Sequence, residues 1–286
     1  MAEVRFLERL DAAPKVKTQI HALAAPSASA KALRDFATKF GVDSKEATQA
    51  QDATKLTYTA GQHVLTLYKA SGAIRYQDET RWQIDDGKSN LKMSDATAAK
   101  RALAMIDEHR LARPSECELL KVSRLTVGDA NAETKRGHER VIDVGVAFRR
   151  TVDGVPVDGP GGKLIVYLDH KGELTGFDRI WRPIAGVQAQ VKELKDPQVA
   201  EEDLLRYWKA HEAGRIEVQG MRFGYFELGY QDAQRVLQPA YVMPLTLFSQ
   251  DERIRMKSVH VVPAATNAVG KFMPPPKKVV KQRPRR

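Results

Sequence analysis

The sequence predicts an α+β fold built from tandem modules, each a helix packed on a curved antiparallel sheet. Three stretches carry apolar residues at the three-to-four-residue spacing of a helix, and each is followed by segments that alternate apolar and polar residues. Glycine and aspartate clusters separate the alternating segments, as expected for short turns between antiparallel strands. Helices followed by hairpins in this order are typical of an α+β architecture.

The predicted helices cover residues 27–40, 94–111 and the stretch from Asp196 to Gly214. The last has the clearest start, because Asp196 can cap the helix and Pro197 fits its first turn. Each helix has one apolar stripe, which favours packing of that face on a sheet.

The strand signals are strongest between Ile142 and Arg182. Residues 142–149 alternate apolar and other side chains, the pattern of a half-buried strand, while Leu164–Leu168 is apolar on both faces. Residues 61–82 align without gaps on 161–182, at an offset of one hundred residues. This spacing predicts that two hairpins repeat one design.

These signals divide the chain into four predicted regions. Residues 1–92 hold an N-terminal helical segment and the first helix-and-hairpin module, 93–190 the second module, 191–268 the third, and 269–286 a disordered tail. The length is sufficient for two or three units with cores of their own.

The net charge of +10 belongs mainly to the last sixteen residues, which hold seven Lys or Arg and no acid. The rest of the chain has 39 basic and 36 acidic residues, so it is nearly balanced. The tail is rich in proline and is predicted to be disordered. It is a candidate contact for a polyanion such as nucleic acid or an anionic surface, and the alternative is a solubilising terminus. The candidate residues are Lys277, Lys278, Lys281, Arg283, Arg285 and Arg286.

No apolar run reaches the roughly 18 residues that a membrane span requires, so no span is predicted. The N-terminal residues are charged throughout and show no secretory signal. A cytoplasmic protein is the default expectation, and a chain that starts after a removed signal is the alternative.

No catalytic, cofactor or metal site is predicted. Cys117 is the single cysteine, which excludes an intrachain disulfide and every site with several cysteines. The glycine-rich stretch 159–163 precedes a strand where a phosphate-binding loop requires a helix, so it is interpreted as a turn. Asp85-Asp86-Gly87 is likewise interpreted as a turn.

Aromatic side chains are the better indication of a binding surface. Phe223 and Tyr225 share one face of a predicted strand, and we expect a ligand groove, if one forms, between this strand, Trp181 and Trp208. The alternative for all four residues is ordinary packing beneath the third helix.

Two motifs in the middle of the chain match a known kind of module. Residues 153–159 (DGVPVDG) form an x-G-x-P-V-x-G turn, and residues 168–174 (LDHKGEL) form an L-D-x-x-G-x-L hairpin. Between residues 94 and 183 the chain resembles the PepSY and FTP modules found in the propeptides of thermolysin-like metallopeptidases. A weaker likeness covers residues 199–263, where QPAYV at 238–242 resembles the P-A-Y-V-V strand of PepSY-type domains.

The resemblance implies cystatin-like modules that act by binding, with a peptidase as a possible protein partner. No peptidase motif accompanies it, because His138-Glu139 and His211-Glu212 lack the second histidine of H-E-x-x-H. We therefore expect a non-catalytic protein that engages a protein partner through sheet edges or an inter-module cleft. The alternative is an enzyme or small-ligand-binding protein with a pocket enclosed between sheets and helices.

Overall fold

The protein is mostly β. The computed structural model describes residues 3–42, 47–80, 91–130, 137–209, 214–249, 252–253 and 255–269. Of these, 47% lie in strands and 16% in helices. The prediction of an α+β fold made of tandem helix-on-sheet modules is therefore wrong.

The three predicted helices with bounds are present, although shorter than expected at most ends, whereas the predicted N-terminal helical segment contains a β-strand at Glu3–Phe6. In the described residues the helices are α1 (Ala30–Thr38), α2 (Asp95–Glu108) and α3 (Pro197–Lys209), with a 3-10 turn at Pro114–Glu116. Ser29 and Ser94 cap α1 and α2, since their hydroxyls accept the backbone N–H groups of Ala32 and Thr97. Asp196 accepts the N–H of Gln198 at the start of α3, as its sequence position predicts.

The chain divides into two compact units. The larger contains Leu23–Ile184 and Glu227–Arg235, and the smaller contains the described residues of 1–22, 185–226 and 236–286. The larger unit holds one antiparallel sheet in the spatial order β9-β8-β10-β11-β6-β5-β4-β3, with β7 also paired to β8. Its strands are β3 (Thr48–Gln51), β4 (Lys55–Ala60), β5 (His63–Tyr68), β6 (Ile74–Asp78), β7 (Cys117–Ala130), β8 (Gly137–Val152), β9 (Val155–Asp158), β10 (Lys163–Leu168) and β11 (Leu174–Ile180).

One core explains why the first two predicted modules are not separate. The apolar stripes of α1 and α2 pack into the same cluster of buried side chains, which includes Leu33, Ile106 and Phe148. Strand β6 pairs directly with β11, so the hairpins of both predicted modules belong to a single sheet. The sequence pattern indicates that a strand has a buried face, but the neighbour at its edge depends on tertiary pairing.

The predicted hairpins have the expected positions. Strands β5 and β10 begin at residues 63 and 163, and β6 and β11 begin at residues 74 and 174, so the offset of one hundred residues is kept. Gly72 and Gly172 have φ values of 70° and 76° in the two turns, a conformation that favours glycine. The turn at Asp153-Gly154 has positive φ at both residues, as a two-residue hairpin requires.

The smaller unit contains α3 and two sheets. In the first, β16 lies between β17 and the pair β13 and β14, and β1 runs parallel to β13. The second has the order β12-β2-β15. The strands are β1 (Glu3–Phe6), β2 (Gln19–Leu23), β12 (Ile184–Gln190), β13 (Arg215–Val218), β14 (Arg222–Phe226), β15 (Val236–Leu237), β16 (Pro239–Phe248) and β17 (Arg255–Pro263).

Pro244 sits inside the central strand β16, where proline is normally unfavourable. It falls between the segment that pairs with β13 and the segment that pairs with β14. Its carbonyl accepts the N–H of Gln219 across that gap. No ladder hydrogen bond is lost, because the missing N–H faces the interruption.

Candidate functional site

Three of the four predicted groove residues are buried. Trp208 lies on α3 and packs in the core of the smaller unit, and Phe223, partly buried, packs against the same core. Tyr225 is fully buried, and its hydroxyl accepts the N–H of Gln19 at 3.2 Å and lies 3.2 Å from Nε2 of His21. Trp181 belongs to the core of the larger unit. Packing accounts for these positions, and a ligand role for the four residues stays a prediction.

The basic tail, with the six candidate Lys and Arg residues from Lys277 to Arg286, lies outside the described residues. Asp85-Asp86-Gly87 also lies outside them. Polyanion binding by the tail therefore stays a prediction. In the part of the chain that the structure describes, no helix is long and apolar enough to cross a membrane.

Two of the histidines, His63 and His260, lie close to polar side chains. His63 lies 3.0 Å from the hydroxyl of Tyr76 and 3.7 Å from Asp78, while His260 lies 3.2 Å from Asp203. Burial lowers the pKa of His260, and the nearby carboxylate of Asp203 opposes that shift. Among the described residues, no group of three or more His, Cys, Asp or Glu side chains could hold a metal ion.

Cys117 is not an activated nucleophile. Burial, followed by the charge of Glu116, raises the pKa of its thiol to about 12. Because the thiolate is the reactive form of cysteine, the thiol is essentially unreactive at neutral pH.

A polar and aromatic cluster lies on the face of the larger sheet opposite its apolar core. Arg75 binds both carboxylate oxygens of Asp178, and the hydroxyl of Tyr167 donates to Asp178 at 3.2 Å. The rings of Tyr68 and Tyr230 lie 4.5 Å apart. Burial, with the negative charge of Asp178, raises the pKa of Tyr167 to about 12. Asp178 is already paired and the tyrosine stays protonated, so this cluster can donate hydrogen bonds but offers no free base.

The long edge strand β7 is the strongest candidate for an interaction site. It runs along β8 for 14 residues, and within the described residues its other edge has no partner strand. Three of the exposed large apolar side chains lie on it: Leu119, Leu120 and Leu125 are 47%, 44% and 45% exposed. A long edge strand with exposed apolar side chains is a template for pairing with another chain.

The inner contacts of β7 hold it in a defined position. Glu118 receives two hydrogen bonds from Arg149 on β8, and this pairing lowers the pKa of Glu118. Ser123 donates to the carbonyl of Gly145 at 3.1 Å, and Arg124 donates to Asp95 at 2.5 Å. Register shifts on either side leave Lys121–Leu125 as a regular segment between two irregular ones.

Sequence reasoning missed this site. The stretch CELLKVSRL (117–125) mixes leucines with charged residues, but it lacks the strict alternation of the strands that were predicted. The pattern does not show which face is covered, and it cannot show that the outer edge of the strand lacks a neighbour.

Comparison with known proteins supports the fold without assigning a function. No protein-family model matches the chain, and a comparison with curated proteins finds no significant match. Among solved structures, the chain is similar to an uncharacterized protein from Eubacterium rectale ATCC 33656, solved by crystallography at 1.45 Å resolution. The TM-score is 0.53 at 12% identity, and the match covers 95% of this chain and 90% of the other. At this identity the likeness shows the fold alone, and the resemblance to PepSY and FTP modules stays a prediction.

Proposed function

We propose that this is a non-catalytic binding protein that pairs an extended segment of a partner protein with the outer edge of β7. The observation that carries the proposal is the concentration of exposed leucines on a 14-residue edge strand. The backbone N–H and C=O groups along such an edge can form a new antiparallel or parallel ladder with an incoming chain.

The side chains of β7 indicate what the partner segment contains. Leu119, Leu120 and Leu125 would be covered by apolar side chains, since burial of leucine surface favours association. Lys121 and Arg124 are exposed between them. An acidic side chain beside the apolar positions would add charge complementarity to the exposed Lys121.

A peptidase is the first partner to test, because it is the partner that the resemblance to propeptide modules implies. A thermolysin-like metallopeptidase can be assayed with a small chromogenic substrate at increasing concentrations of this protein. Concentration-dependent inhibition or a measurable complex would identify the partner class, and the variants below show whether β7 forms the contact.

The decisive experiment compares the wild-type protein with a Leu120→Lys/Leu125→Lys double variant. Lysines on an edge strand oppose pairing because their charges must be desolvated. We expect at least about a tenfold loss of partner binding, measured by calorimetry or surface plasmon resonance. Val187→Lys/Val199→Lys is the matched control, because it also adds two lysines, at positions 51% and 46% exposed on β12 and α3. Equal binding by the double variant and the control would refute the proposal.

A further inference from the structure

Five charged side chains gather beside the core of the larger unit. Arg150 lies on β8, Arg179 on β11 and Arg182 just after β11, while Glu116 belongs to the 3-10 turn and Glu227 follows β14. Arg150 lies with its guanidinium 5.3 Å from the ring centre of Trp181. The cluster therefore holds three positive and two negative groups.

Two of the three arginines each form an ion pair with a carboxylate. Arg182, almost fully buried, pairs with the buried Glu227 at 3.1 Å. It also donates to the backbone carbonyls of Leu228, Gly229 and Asp232 at 2.6 to 2.8 Å. Arg150 pairs with Glu116 at 3.1 Å and donates to the carbonyl of Arg182 at 2.7 Å.

Arg179 is the third arginine of the cluster. Its Nε is buried and has no acceptor within the part of the chain that the structure describes. Burial, followed by the charge of Arg150, lowers the pKa of Arg179, and the nearby negative charge of Glu227 partly opposes the shift. One oxygen of Glu227, Oε2, is also buried without a donor, although the other is engaged by Arg182.

The two carboxylates of the cluster leave it with one more positive than negative group, although the charge of Glu227 also acts on Arg179. Glu116 and Glu227 are each paired with another arginine. The thiol of Cys117 stays protonated at neutral pH because its pKa is about 12. A buried N–H without an acceptor and an excess positive charge are both costly, and a bound anion would remove both costs.

From this arrangement we propose that Arg179 binds a small oxyanion, either a carboxylate or a phosphate group. The planar guanidinium can form two parallel hydrogen bonds to two oxygens of either group, one of them from the unpartnered Nε. Arg150 adds a second positive charge close by, and one negative charge would balance the cluster. This site is independent of the β7 edge.

The test measures binding of inorganic phosphate and of acetate to the full chain at neutral pH. Thermal unfolding and calorimetry are recorded with each anion and with chloride at matched ionic strength, since a ligand that binds the folded state raises the unfolding temperature. Arg179→Met removes the charge and keeps most of the side-chain length. Arg206→Met is the control, because Arg206 is exposed on α3 and its loss changes the net charge equally.

We expect phosphate or acetate to raise the unfolding temperature of the wild-type protein and of Arg206→Met above the value in chloride. Arg179→Met should bind that anion at least about tenfold more weakly, as expected for loss of charged hydrogen bonds. A response to phosphate alone assigns a phosphate-bearing ligand, and an equal or larger response to acetate assigns a carboxylate.

Two results would overturn the proposal: no difference between either anion and chloride, or an unchanged response in Arg179→Met. Arg179→Lys serves as a second variant in case the methionine variant does not fold. It keeps the positive charge and loses the bidentate geometry of the guanidinium. It should fold normally and bind the anion several-fold more weakly than the wild-type protein.

Discussion

The buried carboxyl of Asp143 should make the stability of the larger unit depend on pH. Asp143 lies on β8 and is only 3% exposed. Its Oδ2 accepts the hydroxyl of Thr175 at 3.0 Å. Burial raises the pKa of Asp143 from 3.8 to about 6, while hydrogen bonds from Thr175 and from the backbone N–H groups of Val144 and Leu168 partly oppose the shift.

The direction of the pH effect follows from proton binding. Between pH 3.8 and 6 the folded protein holds a proton on Asp143 that the unfolded chain has released. The free energy of unfolding therefore falls as pH rises through this window. A shift of about two pH units corresponds to about 3 kcal/mol, present below the window and lost above it.

The perturbation that tests this effect is Asp143→Asn, which keeps the size of the side chain and cannot ionise. Relative to the wild-type protein, the variant should gain up to about 3 kcal/mol in unfolding free energy between pH 4 and pH 8. Urea unfolding at several pH values measures the difference. Asp107→Asn, an exposed change on α2 with the same loss of charge, should stay within about 0.5 kcal/mol of the wild type at each pH.

Parallel pH profiles for the wild-type protein and Asp143→Asn would refute the reasoning, because the carboxyl would then have the same pKa in both states. A carbon-detected NMR titration of the Asp143 carboxyl gives the folded-state pKa directly.

Two further substitutions test the packing around Glu227. Arg182→Met leaves the buried carboxylate of Glu227 without its counter-charge and should cost about 3–5 kcal/mol in urea unfolding, whereas Lys31→Met, in an exposed pair on α1, should cost less than about 1 kcal/mol. Similar losses for both would show that the buried pair is unimportant. Gly161→Ala would place a Cβ 2.3 Å from the carbonyl oxygen of Leu228 and should cost about 1–3 kcal/mol, while Gly186→Ala has open space and should be nearly neutral in the same assay. An unchanged unfolding midpoint for Gly161→Ala would contradict the close approach.

The local elements of the fold could be predicted because their signals are local. The start of α3 depends on Asp196 and Pro197, and the turn before β9 depends on Asp153-Gly154, and both are present where the sequence places them. These features require backbone conformations and hydrogen bonds that involve only a few consecutive residues.

The candidate sites depend on groups far apart in the chain. Among the described residues the Nε of Arg179 has no acceptor, while Glu116 and Glu227 pair with Arg150 and Arg182, which lie up to 45 positions away in the chain. The exposed leucines of β7 lie on a strand whose outer edge has no neighbouring strand among the described residues. Composition and periodicity contain neither fact.

The sequence by itself determined the helices, most of the hairpins and their turns, because short-range sterics, capping and alternation decide those elements. The tertiary structure alone decided that α1 and α2 pack on one sheet and share one core. It also decided that, among the described residues, the Nε of Arg179 lacks an acceptor and the outer edge of β7 lacks a neighbouring strand. The physical reason is that a half-buried strand has the same alternating pattern whichever strand lies beside it. Its side chains therefore indicate which face is covered, whereas its backbone can pair with any suitable edge.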